Sequence, residues 1–121
     1  MDKKKLDKEI NKEIKRLEKI YENFPEDKKS IAEGLIVEAA RLRIRLNYLW
    51  EDIVLNGETE MFSQSATTEP YERERPVSKT YTATNKSYQT IIMKLDSMLP
   101  KADLAEIESD EFDDFVDSKY K

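Results

Sequence analysis

Lys4, Lys8, Lys12, Lys15 and Lys19 recur every three or four residues near the start of the chain. At ~100° per residue they fall within about 80° of one another on a helix. Lys5 and Arg16 widen the same face. Cations repeated along one face suit the phosphates of a nucleic acid, bound with strong salt dependence. The plainer reading is a solvated helix surface with glutamate neighbours.

A second basic group lies in AARLRIRLNYLW (39–50), where arginine alternates with leucine or isoleucine as in a half-buried strand. Longer spacing decides otherwise. Ile31, Leu35, Ala39, Leu42, Leu46, Leu49 and Ile53 follow steps of 3 and 4, which is helical order sustained over six turns. On that helix Arg41 and Arg45 lie about 40° apart, beside Glu38 and Asp52, whereas Arg43 is about 160° away beside Ala40, Asn47 and Trp50. The three do not make one patch. Arg41 and Arg45 are read as partners in structural or inter-subunit ion pairs.

Other chemistries are short of residues. Histidine and cysteine are absent, which removes the commonest general base, the commonest zinc ligand and all thiol chemistry. No phosphate-cradling glycine loop or serine elbow occurs, and the acids lack the spacing of a calcium loop. The expectation is a non-enzymatic protein without cofactor or metal. No apolar stretch follows the basic N-terminus as in a signal peptide, and none approaches the ~18 residues of a membrane span. A soluble cytoplasmic protein with no membrane partner is expected.

The elements that must carry these residues are few. The 121 residues suit one domain, and only two glycines and four prolines punctuate them. Leu6, Ile10, Ile14, Leu17, Tyr21 and Phe24 predict an amphipathic helix over about 2–22. Pro25 turns the chain and suits the start of a second helix over about 26–55, some 45 Å long. Asn56-Gly57 caps its end. Residues 57–75 lose helical periodicity and read as a polar loop or a β-hairpin near 58–63 and 69–75. Pro76 opens a third helix over 76–99 with Val77, Tyr81, Thr84, Tyr88, Ile91, Leu95 and Leu99 inward, and Pro100 stops it. The fold class is therefore all-α: an antiparallel hairpin of two long helices, the insert and a third helix.

The second helix carries another apolar line, Val37, Ile44, Tyr48 and Leu55, nearly opposite the first. Two apolar sides need two partners. A neighbouring copy is the favoured second one, so Val37, Arg41, Ile44, Arg45, Tyr48 and Leu55 are the expected oligomer interface.

Charge divides the chain at about residue 100. Residues 101–121 hold eight acids and three lysines, and the preceding hundred are balanced. Burying Leu104, Ile107, Phe112, Phe115 and Val116 would gain roughly 10 kcal/mol, against roughly 20 kcal/mol or more to order the segment. It is expected to be disordered alone and to dock on a basic partner through those five residues. The division is a helical oligomerisation domain (1–100) and an acidic partner-docking tail (101–121).

IAEGLIVEAARLRIRLNYLWEDIVLNGETEMF (31–62) and ERPVSKTYTATNKSYQTIIMKLDSMLPK (74–101) resemble the small terminase subunits of tailed phages and prophages of Gram-positive bacteria. The likeness rests on organisation: a lysine-rich first helix, a long second helix closing at Asn-Gly, a polar insert and a proline-opened helix ending in Leu-Pro-Lys. It implies a non-catalytic, ring-forming component of the packaging motor. Such a protein binds double-stranded viral DNA at the packaging start and regulates the large terminase subunit. Many members read DNA with an N-terminal helix-turn-helix. Here two long helices meet at Phe24-Pro25 instead, which leaves the lysine face as the expected DNA surface. A helical interaction protein of another phage or bacterial assembly, without DNA, is the alternative.

Overall fold

A computed structural model describes residues 2–99. The tail residues Leu104, Ile107, Phe112, Phe115 and Val116 lie outside them. The chain forms α1 (Lys3–Ile20), a 3-10 turn (Glu26–Lys28), α2 (Lys29–Asn56), β1 (Thr59–Phe62), β2 (Tyr71–Glu74) and α3 (Pro76–Met98). The protein is mostly helical, with one small antiparallel sheet. Among the described residues, no helix is long and apolar enough to cross a membrane.

Local signals set the ends of these helices. The Asp2 carboxylate caps α1 by accepting the Lys4 N–H at 3.0 Å. Beyond Tyr21 the chain cannot continue as helix into Pro25, and the tight Glu26–Lys28 turn delivers it into α2. The expected start of the second helix at 26 is thus a 3-10 turn followed by α helix from Lys29. α2 closes on Gly57, whose N–H reaches the Ile53 carbonyl at 2.7 Å. Gly57 holds φ 85° and ψ 173°, a region essentially restricted to glycine. Gly57→Ala should therefore cost about 1–3 kcal/mol in urea unfolding; a change below a few tenths would show that the junction relaxes freely.

The insert is a hairpin rather than an irregular loop, in register Thr59↔Glu74, Glu60↔Arg73, Met61↔Glu72 and Phe62↔Tyr71. Alternation gathers Glu60, Phe62, Tyr71 and Arg73 on one face. The Arg73 guanidinium lies 3.4 Å from the Phe62 ring centre and binds Glu60 at 2.8 Å. Tyr71 meets Phe62 edge-on, ring centres 6.0 Å apart. A two-stranded hairpin is marginal by itself, and here Arg75 moors it. That side chain donates to the Asp52 carboxylate at 3.0 Å and the Gly57 carbonyl at 2.7 Å. Ser78 at the start of α3 adds a bond to the Glu58 carbonyl.

α2 is the middle element, packing against both α1 and α3. Leu17, Tyr21 and Phe24 join Ala32, Ile36, Ala39, Ala40 and Leu46 of α2 and Tyr88, Leu95 and Leu99 at the far end of the chain. Tyr21 stacks on Phe24 and donates its hydroxyl to Asp96 at 2.6 Å, fastening the end of α1 to the end of α3. The threonines of α3 are accommodated by hydroxyl bonds one turn back, Thr80 to Pro76, Thr82 to Ser78 and Thr90 to Lys86.

The two apolar lines of α2 need correcting. Ala32, Ile36 and Ala40, which belong to neither, are buried in the sector between them. The lines are therefore the two margins of one continuous apolar arc of roughly 210° rather than two separate faces. Ile44 is only 8% exposed within the single chain, so little of it is left for a neighbour to cover. Val37 and Tyr48 are half-buried and Leu55 is exposed. Ile31, placed in the first line, is exposed as well.

Candidate nucleic-acid interface

The lysine face stands on α1 as read. Lys4, Lys5, Lys8, Lys12, Lys15 and Lys19 are all exposed, and none has an ion-pair partner among the described residues. Neighbours three or four apart sit ~5–6 Å from one another. From Lys4 to Lys19 the ridge runs about 22 Å at 1.5 Å per residue. Asp7 interrupts it beside a shallow depression lined by Lys4, Lys8, Asn11, Lys12 and Lys15.

Arg16 differs from the lysines in having a partner. Its guanidinium grips the nearly buried Glu13 carboxylate with two bonds, Nε to Oε1 and Nη2 to Oε2, the second at 3.1 Å. The hydrogen bond to Glu13 raises the Arg16 pKa further and keeps it a cation. Arg16 therefore compensates a carboxylate that α1 turns inward, while its side chain stays 54% exposed beside the lysines. The i, i+3 spacing of Glu13 and Arg16 was the available signal.

A groove of about 620 Å³ lies between α1 and α2 on the flank of the ridge. Lys5, Lys12 and Lys15 line it with Ile44, Tyr48 and Glu51. The Tyr48 hydroxyl donates to Glu9 at 2.9 Å. That bond raises the Tyr48 pKa, since ionisation would set a phenolate against a carboxylate. Lys12 and Lys15 thus face both the ridge depression and a partly apolar groove.

The arginines of α2 are separate, as expected. Arg41 pairs with Glu38 at 3.1 Å. Arg43 points the other way, with its guanidinium 5.1 Å from the Tyr88 ring centre and a bond to Asn47. Arg45 is exposed and shares a smaller groove with Leu6, Ile10 and Leu49. Asp52 is engaged by Asn56 and Arg75 rather than Arg45, and those bonds lower its pKa. Their stabilising contribution is present above the usual aspartate range and is lost as pH falls through the lowered value.

One surface escaped the sequence reading. Trp50 and Val54, one turn apart near the end of α2, are 52% and 65% exposed, and Leu55 beside them is 73% exposed. The Trp50 ring is tilted 5.7 Å from Tyr81, which leaves its other side open. Leu55 belongs to the expected interface, but apolarity predicts burial, so nothing in the sequence distinguishes Trp50 and Val54 from the core of α2.

The chain matches no protein-family model, no curated protein and no solved structure.

Proposed function

We propose that the protein is the small terminase subunit of a tailed double-stranded-DNA phage, a non-catalytic adaptor that assembles into a ring, engages viral DNA and regulates the large subunit. The observation that carries this reading is the ridge of six exposed lysines on α1 that have no ion-pair partner among the described residues. The order of elements (lysine-rich helix, long helix closing at Gly57, hairpin, proline-opened helix) supports it alongside the sequence resemblance. Ile44 no longer argues for a ring, whereas Trp50, Val54 and Leu55 offer an apolar contact to a neighbouring copy. Single ridges bind weakly, and repetition around a ring multiplies them through effective concentration.

The test is a titration of duplex DNA over a range of salt, with particle mass measured by light scattering. Four to six phosphate contacts per ridge predict a log–log slope of about −4 to −5 per protomer engaged. Binding without salt dependence, or none at low salt, rejects the DNA role. A particle of 14.3 kDa rejects the ring.

The exposed patch at Trp50 and Val54 also favours a second reading, a helical interaction protein without DNA. A multimer that ignores duplex DNA at low salt would select it.

A further inference from the structure

The lysine ridge has a candidate occupant within the same chain. We propose that the acidic segment 101–121 folds back along α1, laying its carboxylates on the ridge and its phenylalanines in the adjoining groove, and so competes with nucleic acid for the same lysines. The competition rests on the DNA reading above; the docking does not.

Three observations point there. The first is where the described chain ends. Leu99 is buried in the same cluster as Leu17 and Tyr21, and Asp96 accepts the Tyr21 hydroxyl, so the chain leaves the fold beside the C-terminal end of α1. Lys19 occupies the last turn of that helix. The ridge therefore begins where the acidic segment departs and runs away from it.

The second is charge. Asp103, Glu106, Glu108, Asp110, Glu111, Asp113, Asp114 and Asp117 are eight carboxylates in fifteen positions. The ridge opposite offers six lysines without partners among the described residues. α1 has 18 residues and measures about 27 Å, a length that some eight extended residues cover. The acidic run is long enough with slack. A tethered segment meets such a surface at ~mM effective concentration, so modest contacts are sufficient.

The third is the form of the surface. Lys12 and Lys15 border both the open ridge and the groove, whose wall includes Ile44 and Tyr48. Phe112 and Phe115 are interleaved with acids, so the segment carries both carboxylates for the lysines and aromatic rings for that wall. Of the acids lining the groove, Glu13 is neutralised by Arg16, while Glu9 and Glu51 keep their charge beside Lys5, Lys12 and Lys15.

The consequence is a linkage. DNA that occupies the ridge displaces the acidic segment, and a partner that captures the segment frees the ridge, each to the same degree.

The absence of cysteine permits a single nitroxide at Ser118→Cys in the full chain. Paramagnetic broadening of the backbone amides from Lys8 to Lys19 is expected at low salt. It should vanish near 1 M salt, where the screening length is ~3 Å. It should also vanish in a chain carrying Asp110→Asn, Glu111→Gln, Asp113→Asn and Asp114→Asn. Broadening that is absent, or uniform over the surface, overturns the docking. Broadening seen only between mixed labelled and isotopically labelled chains overturns docking within one chain. The four-site variant without the nitroxide should bind duplex DNA about tenfold more tightly than the parent at low salt, because a competing anion has been weakened. Unchanged affinity, with docking observed, overturns the competition. Failure of both proteins to bind DNA would reject the DNA reading while the spectra still establish docking.

Discussion

Replacing Lys8, Lys12, Lys15 and Lys19 together with Glu should abolish retention of duplex DNA while leaving the fold intact. The four side chains are exposed on one face and have no partner among the described residues, so no internal contact is lost. Each phosphate contact removed takes about 0.9 from the salt slope, so four remove about 3.6. Affinity should fall by at least ~10³ at moderate salt, since the new carboxylates repel the backbone that the lysines attracted. Crowding with Glu9, Glu13, Glu18 and Glu22 costs only some tenths of a kcal/mol per like-charged pair. The helical circular-dichroism signal should therefore persist. Fluorescence anisotropy with a labelled duplex measures the loss, and binding equal to that of the parent would eliminate the ridge as the DNA surface.

Leu46→Ala is expected to have the largest effect on stability. Leu46 is fully buried in the middle of α2, within the cluster joining all three helices. Truncation of such a leucine costs about 3–5 kcal/mol, a large share of the ~5–15 kcal/mol that holds a domain together. For about 100 residues this lowers the melting temperature by more than ~10 °C. Leu55→Ala is the internal control. It removes the same atoms from the same helix at a site 73% exposed, and should stay within ~0.5 kcal/mol. Equal losses at the two positions in urea unfolding would show that burial along α2 is assigned wrongly.

The helices and the ridge were readable from spacing because each depends on local order. Leu6 through Phe24 and Val77 through Leu99 carry clean stripes, and Pro25, Gly57 and Pro76 punctuate them where the backbone demands it. The alternation at 39–50 was outweighed by a helical period several turns longer. What stayed hidden depends on partners distant in sequence. Ala32 and Ala40 make no visible stripe, yet they join the two apolar lines of α2 into one buried arc, and without them Ile44 looked like an interface residue. The Arg73–Phe62 contact and the Arg75–Asp52 bridge settle the hairpin over a loop, and neither follows from the polarity of 57–75. Arg16 falls on the lysine face by angle, and its bond to a carboxylate three residues earlier is a feature that the wheel angle alone does not show.

The uneven anchorage of α1 has a mechanical meaning. Its buried residues, Glu13 and Leu17, lie in its second half, and no side chain before Glu13 is fully enclosed. Opening the turns before Glu9 exposes little apolar surface beyond Leu6, so those turns separate from α2 at low free energy while the Tyr48–Glu9 bond and the turns beyond it stay clamped. The helix is in effect a cantilever, and its free end, carrying Lys4, Lys5 and Lys8, can tilt to follow the curvature of whatever it grips.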